Sequence, residues 1–233
     1  MGGGVGMSVR AYLSQRKRRS WDQVFFAQND QTSDWWDLPY WRKGVSGSGC
    51  GLVCYTMAVN MLAGTSHTPR TMYELRGGAQ GCWMGSDLTA SSTIGQLEEP
   101  PLTHREFSQR HFGLTMGTLR NLDFGPTEQT KRAAVDECLA KLRKGLCKGR
   151  VYFITRGGGD CFKNARDQWE YHERHYVLLY RFDPRTGTYF IHDPSGDTPQ
   201  AIALHQAVPY SEDDMRRVLG FRTMAIGWMA KDA

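Results

Sequence analysis

From residue 50 onward the apolar side chains return at Cys54, Met57, Ala58, Met61 and Leu62. Offsets of 4, 7, 8, 11 and 12 from Cys50 trace one face of a 3.6-residue helix, and Gly64 closes it as a C-terminal cap. The next segment, "HTPRTMYEL", starts a second helix with Thr68 as N-cap and Pro69 in its first turn. Residues 127–144 carry the clearest helical period. Val135, Cys138, Leu139, Leu142 and Leu146 share a face, and Gly145 is expected to break the end. Alternating and continuous apolar runs then take over. "RVYFIT" (150–155), "HYVLLYRF", "TYFIHDP" and the last segment "TMAIGWMA" read as strands, and "DPRTG" reads as a hairpin turn between the second and third.

The intervening "RGGGDCFKNARDQWEYHER" reads as a polar, glycine-rich excursion, and "SEDDMRRVL" as a short helix. Upstream, Val24–Ala27 predicts a short apolar strand, followed by the irregular aromatic segment "QTSDWWDLPYW". Residues 77–101 predict loops, and no internal repeat is visible. Helices precede strands, which predicts an α+β fold with a helical N-terminal part packed on a C-terminal antiparallel sheet. Residues 1–20 read as a flexible basic arm and residues 21–233 as one domain.

Composition narrows the class. The chain has 233 residues, 40% apolar, with a net charge of +5, which suits a soluble globular protein with a sizeable core. No apolar run is long enough for a membrane span, and the N-terminus lacks the apolar segment of a Sec signal. The expected compartment is therefore cytoplasmic, virion-associated or reached by a non-Sec route. "RKRR" at 16–19 reads as a solvated arm, a docking element for a larger assembly rather than a nucleic-acid site. The six cysteines (50, 54, 82, 138, 147, 161) include no C-x-x-C pair and no zinc-finger spacing. They are read as reduced thiols, and no metal or organic cofactor is expected.

Cys50 is the position with chemistry. It stands in "SGSGCG" at the first turn of the predicted helix, where the positive end of the helix dipole favours a thiolate. Ser48 is a plausible cap. Gly49 and Gly51 give a substrate backbone room to approach. The opposing reading makes Cys50 a packed small hydrophobe, as is expected for Cys54 one turn on. A thiol nucleophile needs a base, normally histidine, and a group that orients it. His175 opens one strand of the predicted hairpin and Asp193 closes the other, so the turn brings them side by side; a slip of one residue selects His192 instead. His172 is nearby but has no predicted strand to fix it. The developing oxyanion needs the Cys50 amide and a second donor, for which Gln28 and Gln31 compete. Trp35 and Trp36 are candidate groove walls.

The blocks "FFAQND", "WWDLPYW", "SGCGLVCYTMAVNMLAG", "HTP", "RHYVLLYRFD" and "GTYFIHDPSG" resemble the papain-like cysteine peptidases. The likeness is greatest to the branch that cleaves double-glycine leaders in bacteriocin exporters and to its stand-alone relatives. It spans about residues 24–65 and 148–196; residues 77–121 match nothing in that family, and "GLVC" after the cysteine departs from its pattern. The resemblance implies a papain-like fold with Cys50 as nucleophile, His175 as base, Asp193 as orienting acid and Gln28, in "QND", as the oxyanion-hole glutamine. It implies a cysteine-type hydrolase of amide bonds. Substrates weighed are peptide cross-links of peptidoglycan, in a phage particle or a delivered bacterial effector, and protein precursors. A third reading is an inactive papain-like module of a virion or other assembly.

Overall fold

The computed structural model describes residues 20–40, 43–79, 102–119, 127–157, 159–220 and 223–231. The expected basic arm, apart from Ser20, lies outside them, as does most of the expected loop at 77–101 with Cys82. Helices are α1 (Gly44–Ser48), α2 (Cys50–Ala63), α3 (Pro69–Leu75), α4 (His104–Phe112), α5 (Glu128–Cys147), α6 (Pro199–His205) and α7 (Glu212–Gly220). Strands are β1 (Leu114–Leu119), β2 (Val151–Gly157), β3 (Asp160–Lys163), β4 (Trp169–Tyr171), β5 (Arg174–Asp183), β6 (Thr188–His192), β7 (Val208–Tyr210) and β8 (Thr223–Lys231).

Six strands form one antiparallel sheet in the order β1-β8-β2-β5-β6-β7. Its central strands are apolar on both sides, and alternation deals their residues to two cores. Val151, Phe153, Leu178 and Tyr180 pack with α2, α3 and α4. Tyr152, Ile154, Val177, Leu179 and Ile191 pack with α5 and α7. The fold is thus α+β, with helices on both faces of the sheet. The sheet is not purely C-terminal either: β1 precedes α5 and forms an edge, paired with β8 from Leu114↔Lys231 to Leu119↔Ile226.

α2 is buried at every position from Cys50 to Leu62. A helix apolar on one face alone would not sit this way; Leu52, Val53, Tyr55 and Val59 fill the sides that the periodic stripe leaves open. Gly64 caps it at φ 73°, a left-handed conformation in which glycine has no steric cost. Thr68 caps α3 through a reciprocal bond pair with Thr71.

Three expectations change. Val24–Ala27 is not a strand: the chain there runs irregularly, and the Gln28 N–H donates to the Pro194 carbonyl at 2.8 Å. The polar excursion contains the two-stranded β3-β4 sheet. Gly145 does not end its helix, which continues to Cys147. It is buried, and a Cβ there would lie 1.7 Å from Tyr152 Oη and 2.8 Å from its Cζ. The glycine lets α5 meet β2 at Tyr152, whose hydroxyl donates to the Lys141 carbonyl. Gly145→Ala is expected to destabilise by about 1–3 kcal/mol, because the buried tyrosine ring has to shift. Urea unfolding checks this; an unchanged midpoint would show that the contact yields freely.

Cys50, Cys54, Cys138 and Cys147 are free thiols. Among the described residues no helix is long and apolar enough to cross a membrane.

Candidate active site

Cys50 is the first residue of α2. Its N-cap is Gly49, not Ser48, which belongs to α1, and no side chain caps the helix. The short α1, absent from the sequence reading, sets this geometry. The Gly49 N–H donates to the Val45 carbonyl at 2.7 Å, and a Cβ on Gly49 would lie 2.5 Å from that oxygen. Gly49 is therefore needed for the close turn between α1 and α2. Gly51 is buried in the first turn of α2. Cys50 itself is buried, at 8% exposure against 0% for Cys54. The open thiol expected from its glycine neighbours is instead a thiol in a nearly closed cleft, because the whole of α2 is sunk into the core.

His175, the second residue of β5, faces that thiol. Its Nε2 lies 2.6 Å from Asp193 Oδ1 and 3.2 Å from Ser195 Oγ. This leaves Nδ1 open toward Cys50, whose side chain is near enough to raise the basicity of the ring. His175 and Asp193 are 3% and 1% exposed. Burial on its own would favour a neutral imidazole. The charge and hydrogen bond of Asp193, then those of Cys50, overturn it and push His175 up to about 10. Asp193 is held far below the usual carboxylate range: burial opposes this, but the charge and hydrogen bond of His175 outweigh it. The pair is therefore an imidazolium and a carboxylate in a dry setting.

The hairpin reaches this arrangement by a route the sequence does not display. β5 and β6 pair Asp183↔Thr188 through Arg181↔Phe190, then shift at a bulge around Tyr180 to Leu179↔Ile191 and Leu178↔His192. Asp193 lies just past the end of β6, where its N–H donates to the His205 carbonyl at 3.1 Å. Its Oδ1 accepts from the Ser195 N–H at 3.1 Å. His192, the competitor, is fully committed elsewhere. Its Nδ1 accepts from the Ala207 N–H, so Nε2 is the donor to the Trp21 carbonyl, each at 3.0 Å. Burial foremost holds His192 neutral, down to about 3.

Two neighbours, Ser195 and Phe162, escaped the sequence reading, and a third, His172, was set aside by it for want of a strand. Ser195 touches both His175 and Asp193. His172 stacks on His175 with centroids 4.2 Å apart and planes 9° from parallel. Phe162 of β3 meets His175 edge-on at 5.9 Å. For Ser195, "DPS" two residues past the aspartate was a usable signal, since a short Asx-type loop returns the N–H at i+2 to the carboxylate.

Gln28 is buried beside Pro194, and its Oε1 has no hydrogen-bond partner among the described residues. Its rival Gln31 is exposed in the following turn. Trp35 is half-buried. Its indole N–H donates to the Ala27 carbonyl at 3.0 Å, and its ring stands against Phe26. The Leu38 N–H bonds the Trp35 carbonyl, and Leu38 in turn receives the Val45 N–H. The aromatic segment thus ties the turn holding Gln28 to the helix that precedes Cys50. Trp36 is the exposed member, at 37%.

His172, His175 and Asp193 place one ligand atom each within 4.8 Å of one another. Their geometry does not suit a metal. The stacked rings direct their in-plane lone pairs side by side rather than toward one point, and His175 Nε2 is bonded to Asp193.

No protein-family model and no curated protein matches the chain. Among solved structures it is similar to the crystal structure of a Bacillus anthracis protein provisionally assigned as a C-39-like peptidase. Identity is 13%, over 91% of this chain and 96% of that one, with a TM-score of 0.45. A likeness that slight carries no argument about fold or activity.

Proposed function

We propose that this protein is a papain-like cysteine hydrolase of amide bonds, and that residues 21–233 act as one catalytic domain. The observation that carries the proposal is His175: a buried imidazole held by Asp193 at 2.6 Å on one nitrogen and facing the Cys50 thiol with the other. In this reading His175 takes the Cys50 proton, which makes the sulfur a thiolate. The thiolate adds to the substrate carbonyl. The Cys50 amide, at a helix start with no side-chain cap, and the Gln28 side-chain amide donate to the oxyanion. Collapse of this intermediate breaks the C–N bond as His175 passes its proton to the departing amine. A water then gives its proton to His175, adds to the thioester carbonyl and releases the acid, which restores the thiolate and the imidazolium. Asp193 keeps the ring oriented throughout without taking the proton.

As substrate we put first the peptide cross-links of peptidoglycan, with a protein precursor as the alternative. Purified sacculi and an unfolded protein substrate, each assayed for new amino termini, separate the two. Iodoacetamide tests the chemistry itself: it is expected to modify Cys50 before Cys147, although Cys147 is the exposed thiol and Cys50 is buried. Modification following exposure alone, with Cys147 first, would favour the inactive binding module.

A further inference from the structure

We propose that His172 is a positioning residue, whose ring lies flat on His175 and holds that imidazole in the plane joining Asp193 to Cys50. This rests on the cysteine-hydrolase reading. One edge of the His175 ring is fixed by Asp193 and Ser195, and the other is turned toward Cys50. Contacts at one edge leave the ring free to tilt. A flat neighbour at 4.2 Å, nearly parallel, opposes that tilt. His172 is anchored for this: it directly follows β4, and its N–H donates to the Gly159 carbonyl at 3.1 Å, beside the start of β3. Phe162 stands against both imidazoles, at 5.9 Å from His175 and 6.4 Å from His172.

The charge state suits the role. The titratable groups facing His172 are His175 from β5, Asp193 past β6, Glu170 from β4 and His205 from α6. Burial and then the positive His175 hold His172 down to about 4, against the pull of Asp193 and Glu170. Above that range a neutral π-face lies on a cation, which attracts. Below it two cations lie face to face and repel.

The test follows the alkylation rate of Cys50 by iodoacetamide against pH in the full chain. His172→Ala is expected to slow it about threefold to tenfold at neutral pH, the loss of one aromatic stack. His172→Phe, flat but not titratable, restores the rate, and on acidification toward pH 4 the wild type loses a larger fraction of its rate than this variant does. A His172→Ala rate within about twofold of wild type at neutral pH overturns the proposal. So does a loss of rate in acid that is proportionally as large for His172→Phe as for the wild type. Proton NMR of the unaltered protein needs no variant: the His172 ring titrates near 4, and a midpoint at the ordinary 6.5 overturns the proposal as well. Wild-type Cys50 that reacts no faster than Cys147 is a different failure, that of the hydrolase reading.

Discussion

Cys50→Ala is expected to lower amide hydrolysis by about 10⁴-fold or more while leaving the fold intact. The loss is large because the thiolate is the only protein group in the proposed mechanism that bonds to the substrate carbon. The oxyanion donors remain, so a trace of turnover survives. Cys50→Ser should be nearly as inactive, since a hydroxyl does not give up its proton to His175 as a thiol does. Initial rates on sacculi or protein substrate, with thermal melts alongside, check both. Activity of the alanine variant within tenfold of wild type would end the reading of Cys50 as nucleophile.

The second large effect concerns stability. Asp193→Ala leaves a buried cation on His175 without its partner, and a broken buried pair costs about 3–5 kcal/mol. The pH dependence has a defined sign. His175 is raised from 6.5 to about 10, so its contribution is whole below 6.5 and drains away as pH climbs to about 10. Asp193 is lowered from 3.8, so its contribution is whole above 3.8 and is lost as pH falls further. Wild-type stability should therefore be greatest between 3.8 and 6.5, as far as this pair governs it, and decline from 6.5 to 10. Asp193→Asn keeps the shape and a hydrogen bond but removes the charge, so its stability should be flatter over the alkaline range. Urea unfolding at several pH values measures both variants. An Asp193→Ala loss under about 1 kcal/mol would show that the pair does not hold its charges in the folded protein.

Much of this arrangement is legible along the chain where local rules decide. The α2 stripe ending at Gly64, the Thr68 cap, the long α5 and the β5-β6 hairpin are each set by residues within one element. What was missed divides in two. α4 and α6 carried readable local signals, the reciprocal Thr103–Glu106 cap with Gly113 and the Thr198–Pro199 start, but few apolar positions to draw notice. Gly145 and the bulge at Tyr180 were not readable, because a ring on another strand and a partner strand decide them. The site follows the same division. Cys50 stands out by its helix start, and His175 and Asp193 by the hairpin. Choosing between His175 and His192 required the two bonds that occupy His192, one of them to the Trp21 carbonyl, 171 positions away.

That last bond is one of a set. The Trp21 carbonyl serves His192, Asp22 receives Tyr180 and Arg181, the Asp22 carbonyl receives Gln206, and Gln28 meets Pro194. The partners are 158 to 184 positions apart. A ribosome therefore releases the sulfur long before the imidazole, and the Trp21–Gln28 segment docks only after residues 180–206 have been made. A nascent chain halted ahead of Arg174 holds the Cys50 thiol but neither His175 nor Asp193, so on the proposed mechanism it has no base to act with.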